Sequence, residues 1–299
     1  MKAAKWVREL PLHLLLLPGL ALLLIYSYVP MLGVVIAFQK FTIFSGWFGS
    51  PWVGLDNFKY VLDLPDTGRV IWNTLFIASM KIVAGLIVPI VIAILLNEVS
   101  RAFIKRSVQT LIYLPHFLSW VILSGILIDL LSPSEGLVNA FLAWMGIEPI
   151  FFLADNRWFP AVLIVSDVWK EFGFSTIVYL AAITSVNPTL YEAAVMDGAN
   201  RWRQTLHITL PGMMPIIVLM ATLSLGNVLN AGFDQVFNLS NPLVYESGDI
   251  LDTMIYRIAF NDAQYGLATA VGLFKSVVSF LLISISYLLA YRFANYRIF

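Results

Sequence analysis

The chain has 299 residues, 60% of them hydrophobic and only 12% charged, with a mean hydropathy of +0.84. A soluble domain carries about 25% charged residues, so this composition belongs to an integral membrane protein and not to a soluble globule. A formal net charge of zero implies no bulk attraction to nucleic acid, and the lack of cysteine excludes disulfides, thiolate metal sites and a cysteine nucleophile.

Lys2, Lys5 and Arg8 mark a short N-terminal segment, 1–10, ahead of an apolar run from about Leu12 to Phe38. A secretory signal has an apolar core of about 7–15 residues and a small-residue cleavage site. This run is far longer, and Tyr26-Ser27-Tyr28-Val29-Pro30 is a poor cleavage site, so it reads as an uncleaved first span bent at Pro18-Gly19 and Pro30. Five more apolar runs follow, at about 71–96, 107–131, 159–183, 212–229 and 267–293. Each approaches or exceeds the roughly 20 residues a helix needs to cross hydrocarbon. The fold class predicted is all-α and polytopic, with six transmembrane helices in one domain over 11–299 and both termini on the same side.

The connecting segments carry their own signals. Between Thr42 and Gly68 lie Trp47, Phe48, Trp52, Phe58 and Tyr60, the residue types that settle at a membrane–water boundary. Leu55-Asp56-Asn57-Phe58 predicts a short helix with Asp56 as its cap. Segments 132–158 and 231–266 are polar and long enough for loops or short helices.

Charged and amide residues inside the spans are expensive in lipid, about 2.5–3.5 kcal/mol for a charge at the helix centre, so they should face protein or water. Asp167, Lys170 and Glu171, at i, i+3 and i+4, occupy one face near the middle of the fourth span, and Trp169 nearby is an aromatic that could stack on a sugar ring. Two readings stay open for them: an Asp167–Lys170 pair that neutralises the stripe, or a pathway face that hydrogen-bonds hydroxyls. Asn227, Asn230 and Asp234 form a similar stripe at the end of the fifth span, while Lys81 and Lys275 are the polar points of the second and last.

The longest helical polar interruption runs from Tyr191 to Asn200 and on through Arg201-Trp202-Arg203 to Leu210-Pro211 and Pro215. Asn187-Pro188 opens a helix, Gly198 permits the left-handed turn that ends it, and Asn200 caps a second short helix that Pro211 is expected to stop. Ala193 and Ala194 leave one face nearly bare, so that another backbone can come close.

Glu192-Ala193-Ala194, followed by Gly198, Ala199 and a downstream Leu-Pro, resembles the cytoplasmic loop of binding-protein-dependent ABC importer permeases. Pro30-Met31-Leu32-Gly33, the Trp52–Phe58 string, Trp169-Lys170-Glu171-Phe172-Gly173 and the run Phe237–Glu246 are similar to the oligo- and polysaccharide branch, including permeases for alginate or pectin fragments. The resemblance implies a type I permease fold with a coupling loop at 185–211. Glu192, Ala193, Ala194, Asp197, Gly198 and Ala199 would engage an ATPase. It also implies a second permease, two ATPase subunits that carry the ATP and Mg, and an extracytoplasmic binding protein delivering a carbohydrate. The substrate pathway would use Asp167, Trp169, Lys170, Glu171, Asn227, Asn230, Asp234 and Lys275. Tyr245 and Glu246, in an acidic and aromatic segment with turn signals at Asn241-Pro242 and Ser247-Gly248, would meet the binding protein.

Basic residues give the orientation. Lys2, Lys5, Arg8, Arg101, Lys105, Arg106, Arg201, Arg203, Arg292 and Arg297 flank one side, against Lys40, Lys59, Arg69, Arg157 and Arg257 on the other. That bias assigns both termini and the Glu192 loop to the cytoplasm of a cell membrane. No Gly-x-x-x-x-Gly-Lys-Ser/Thr string occurs, so the chain is not expected to hydrolyse ATP, and no cofactor or metal site is expected within it. His13, His116 and His207 lie far apart in sequence, which supports no catalytic set. The alternatives are a permease for another small solute, an ion-coupled secondary transporter using Asp167 and Glu171, or an intramembrane enzyme; no internal repeat supports the second and no nucleophile–base set the third.

Overall fold

The structure is a computed structural model that describes residues 2–294, with side-chain placement over 10–285 and at 287 and 288. The side chains of Lys2, Lys5, Arg8, Arg292 and Arg297, used in the charge comparison, lie outside the described residues. Eight helices carry the architecture: α1 (Lys2–Leu23), α2 (Thr67–Glu98), α3 (Ala102–Tyr113), α4 (Trp120–Leu130), α5 (Phe159–Thr184), α6 (Pro188–Met196), α7 (Leu210–Leu225) and α8 (Tyr265–Ala294). Among the described residues the one strand-like pairing is an isolated bridge between Gln39 and Trp52. An all-helical solution follows from lipid, where each backbone donor and acceptor must be satisfied within its own segment.

Among the described residues, four stretches are long and apolar enough to cross a membrane: Leu10–Phe38, Thr67–Glu98, Arg201–Leu225 and Tyr265–Ile285. The helices Ala102–Phe117 and Trp120–Leu130, bent by 105° at a short break, make a fifth when taken together as one span. α5 has the length, 26 residues, but every 18-residue stretch of it holds Asp167, Lys170 and Glu171. Its three charges sit close together near the middle of the helix and need partners within the protein.

Prolines act differently from the sequence expectation. α1 continues through Pro11 and Pro18 without a break, and the irregularity comes later, in a π turn at Leu24–Tyr28 beside Pro30. The third span is not one helix over 107–131. Pro115 sits in a tight turn at Leu114–Phe117, Leu118 turns extended, and the Ser119 hydroxyl accepts from the Ile122 N–H to start α4 afresh. Pro211 does not stop the helix after Asn200. A π turn at Thr205–Thr209 precedes it, with Leu210 N–H bonded to the Thr205 carbonyl, and this wider turn lets the helix run on through Pro211, which has no N–H to donate.

The chain forms two compact units, Asp66–Met254 with Lys275–Phe299, and Met1–Pro65 with Ile255–Phe274. In the first, α2 and α5 make the most extensive helix pairing. One core gathers Ile77, Leu123, Phe159, Leu163, Val236 and Ile250; a second gathers Ala93, Tyr179, Ile183 and Met213. Gly173 on α5 lets α3 approach so closely that a Cβ there would lie 1.9 Å from the Ile112 carbonyl oxygen. This glycine belongs to the Trp169–Gly173 string, and close backbone approach explains why glycine is needed at its end.

In the second unit the segment after α1 folds on itself. Lys40 N–H bonds the Pro51 carbonyl at 2.9 Å and Val53 N–H bonds the Phe38 carbonyl at 2.9 Å. Asn57 Nδ2 donates to the carbonyls of Ala37 (2.8 Å) and Gln39 (3.0 Å), and Phe38 packs on Trp52 and Phe58. Asp56 is not a cap: it is the first residue of the helix Asp56–Asp63, the capping position is Leu55, and Asp56 pairs with Lys59 at 3.7 Å. An acid in the first turn still complements the helix dipole.

Candidate coupling loop and polar span interior

α6 begins where Asn187 Oδ1 accepts from the Thr189 N–H at 3.1 Å and Pro188 fills the first helical position. It ends in the motif that glycine makes possible. Gly198 has φ +73°, its N–H bonds the Val195 carbonyl at 3.0 Å, and Ala199 N–H reaches back to the Ala194 carbonyl at 2.8 Å. Asn200 then caps the next turn through Arg203 N–H at 2.9 Å, and Gln204 Nε2 ties back to the Ala199 carbonyl at 2.9 Å. Tyr191 and Thr209 join their hydroxyls at 3.0 Å, and Arg201 pairs with Glu98 at the end of α2. Glu192, Ala193, Asp197 and Gly198 are exposed, Ala194 and Ala199 half-buried. Met196 is 87% exposed, with Val195 and Trp202 also bare, so the rigid bend holds an apolar tip away from the body of its unit.

The span interior is wired across helices. Lys81, almost fully buried on α2, places Nζ 3.3 Å from Asp167 Oδ1 on α5 and 2.7 Å from the Ala231 carbonyl, and donates also to Gln235 Oε1. Three donors meet three acceptors. Gly232, at φ +93°, turns the chain so that Ala231 and Gln235 both reach the ammonium. Gln235, itself buried, passes the network on by donating to the Leu163 carbonyl and Ser166 Oγ, each at 2.8 Å. The Asp167–Lys170 pair read from spacing does not form.

Lys170 instead donates to Glu171 Oε1 and to the His116 carbonyl, both at 2.9 Å, and lies over the Trp120 ring at 5.7 Å. His116 Nδ1 meets Glu171 Oε2 at 2.7 Å, and its ring stacks on Phe174 at 4.2 Å. This cluster closes the break between α3 and α4. Spacing gave no hint of it; the available signal is Pro115 in mid-span, because a span that breaks exposes carbonyls, and here Lys170 Nζ satisfies the one on His116. Gln235 was missed because its partner is 154 residues away in sequence.

The Asn227, Asn230 and Asp234 stripe is not a helix face. α7 ends at Leu225, Asn227 and Asn230 follow in turns, and Asp234 opens a separate helix, Phe233–Leu239. All three are exposed. Lys275 pairs with Asp252. Trp169 is 43% exposed, and Glu171 keeps a half-open carboxylate. Glu246 is exposed and Tyr245 half-buried on a turn fastened by Asn73 Nδ2 to the carbonyls of Glu246 (3.0 Å) and Asp249 (3.3 Å). Asn241 caps that turn through Leu243 N–H.

Residues 81–295 match the family described as binding-protein-dependent transport system inner membrane component, and the chain belongs to that family. It is a transport subunit and not an enzyme. Over 295 residues it is 43% identical to the polygalacturonan/rhamnogalacturonan transport system permease protein YteP of Bacillus subtilis (strain 168), covering 99% of this chain and 92% of the relative. It is also similar to a chain in the crystal structure of a bacterial ABC transporter involved in the import of the acidic polysaccharide alginate. The TM-score there is 0.90 at 39% identity, with 97% of this chain and 98% of the other covered. A chain of the bacterial alginate ABC transporter in complex with alginate pentasaccharide-bound periplasmic protein gives 0.89 at 38%, covering 97% and 96%.

Proposed function

We propose that this chain forms, with a second permease subunit, the path by which an ABC importer takes up an acidic oligo- or polysaccharide handed over by an extracytoplasmic binding protein. Two ATPase subunits carry the ATP and Mg. The observation that carries the reading is the rigid bend at Gly198 with its bare apolar tip, in a chain of this family and 43% identical to a polygalacturonan/rhamnogalacturonan permease. The tip enters a cleft in an ATPase subunit, and closure of the ATPase pair pulls on α6 and, through the Asn200 turn, on α7. Alternating access follows as the spans rock.

Within the path, Lys81, Lys170 and Lys275 are each closed by a carboxylate and shape the interior, while Trp169, Glu171 and the exposed Asn227, Asn230 and Asp234 offer stacking and hydroxyl contacts. Glu246 and Tyr245 face the binding protein. Both termini and the α6 loop lie on the cytoplasmic side of the cell membrane in this reading, which the charge bias supports.

Orientation and docking are testable together. The chain lacks cysteine, so Met196→Cys supplies a single thiol at an 87% exposed position. A membrane-impermeant maleimide should label it in inverted vesicles and not in intact cells, and assembled ATPase should slow the labelling by about tenfold or more. Labelling from outside the cell, or no protection by the ATPase, contradicts the reading.

A further inference from the structure

The unit formed by Met1–Pro65 and Ile255–Phe274 contains a cavity of about 570 Å³, within the range of about 300–1,000 Å³ that holds small ligands. Its walls come from the turn at Gln39–Thr42, the short helix at Asp56–Tyr60 and the entry to α8 at Ala263–Leu267. The charge bias assigns both connecting segments to the extracytoplasmic side.

Several independent features of this cavity are left unused by the fold. Gln39 is 2% exposed, its Nε2 donates to the Trp47 carbonyl at 2.9 Å, and its Oε1 is buried with no hydrogen-bond partner. Buried acceptors are normally satisfied, so an orphan one calls for an explanation. Among the described residues, Lys40 makes no ion pair and no side-chain hydrogen bond. Asp56, the acid in the wall, pairs with Lys59 at 3.7 Å and not with Lys40. Asn57 spends both amide hydrogens on Ala37 and Gln39 and keeps its Oδ1 for another donor. Ala263 holds φ +52°, the one positive-φ non-glycine among the described residues. Strain of that kind persists where surrounding structure enforces it and is common at ligand sites. Tyr60 is 54% exposed at the rim, and Phe41 is held edge-on by Tyr265.

We propose that this cavity is an extracytoplasmic subsite for one acidic sugar residue of the incoming chain. Its carboxylate meets Lys40, its hydroxyls meet the free Asn57 and Gln264 groups and, after a small side-chain shift, the Gln39 oxygen. Its apolar face lies on Tyr60. The site rests on the function proposed above and adds to it: a place outside the span interior where anionic and neutral saccharides are told apart by one cation.

The test uses the assembled importer in nanodiscs, without binding protein, titrated with trigalacturonate and with a neutral galactose trimer. Trigalacturonate should bind more tightly than the neutral trimer. Because Lys40 is exposed, Lys40→Gln should weaken its binding by only about fivefold, and Lys40→Arg should restore it. Lys40 has no structural bond to lose, so the variant should assemble normally. Equal affinity for the two trimers, or trigalacturonate binding unchanged in Lys40→Gln, overturns the subsite. Uptake of trigalacturonate by the same wild-type importer, supplied with binding protein and ATP, then separates the two claims. Uptake without Lys40-dependent binding removes the subsite alone, and no saccharide uptake at all removes the function beneath it.

Discussion

Gly198→Val is expected to abolish transport while leaving the chain inserted. The residue sits at φ +73° with nothing within 4 Å of where a Cβ would be, so the variant meets no clash. Its cost is entirely conformational, at least about 1–2 kcal/mol for an L-residue in the left-handed region and more for a β-branched one. The chain relieves it by unwinding the end of α6, which breaks the Ala199-to-Ala194 bond and the Asn200 cap that set the direction into α7. The docking tip then points elsewhere. Complexes should either lose their ATPase subunits on purification or hydrolyse ATP without moving substrate, with uptake down at least tenfold. Gly198→Asn, which tolerates this conformation better, should retain a good part of the activity. Normal uptake in the valine variant would mean that the bend is not part of coupling.

Lys81→Met should have the other large effect, and on assembly instead of coupling. It strips the partner from Asp167 and leaves Gln235 Oε1 and the Ala231 carbonyl buried without a donor. Removing one member of a buried pair costs about 3–5 kcal/mol, which is comparable to the whole margin of a marginally stable fold. The yield of folded complex should fall several-fold. Adding Asp167→Asn should recover part of it, because the stranded carboxylate is then gone. Glu171→Gln makes the contrast: its carboxylate is 42% exposed, a glutamine oxygen can still accept from Lys170, and the His116 carbonyl remains as that lysine's second acceptor, so yield should fall far less than in Lys81→Met while uptake changes. A Lys81→Met complex of wild-type yield would show that the α2–α5 network is not a structural requirement.

The contrast shows where the sequence was informative. Local chemistry was legible: Asn187-Pro188, Gly198 and Asn200 each did what cap and turn rules require, and the positive φ at Gly198 followed from the residue alone. Apolar length found most of the spans, though the third proved to be broken and α5 carries three charges within it. What could not be read was partner choice across the bundle. Lys81 reaches Asp167 and Gln235, 86 and 154 residues away, so spacing along α5 pointed to the wrong pair. Proline effects were misjudged for a related reason. Pro18 and Pro211 lie within continuous helices, whereas Pro115 breaks its span, and the difference lies in the π turn before Pro211 and the neighbours that satisfy freed carbonyls around Pro115. The Asn227–Asp234 stripe failed because a helix period was carried past Leu225, where the helix ends.

In the proposed function this chain carries an acidic oligosaccharide across the membrane at the expense of ATP hydrolysed elsewhere. Proteoliposomes containing the chain with its partner permease and ATPases, ATP–Mg on the ATPase side and loaded binding protein on the other, measure it directly. Labelled trigalacturonate should accumulate inside against its gradient, stop when ATP or the binding protein is left out, and be unaffected by collapsing ion gradients. Accumulation that persists without ATP and vanishes with the ion gradient would contradict the account and make this chain a secondary transporter.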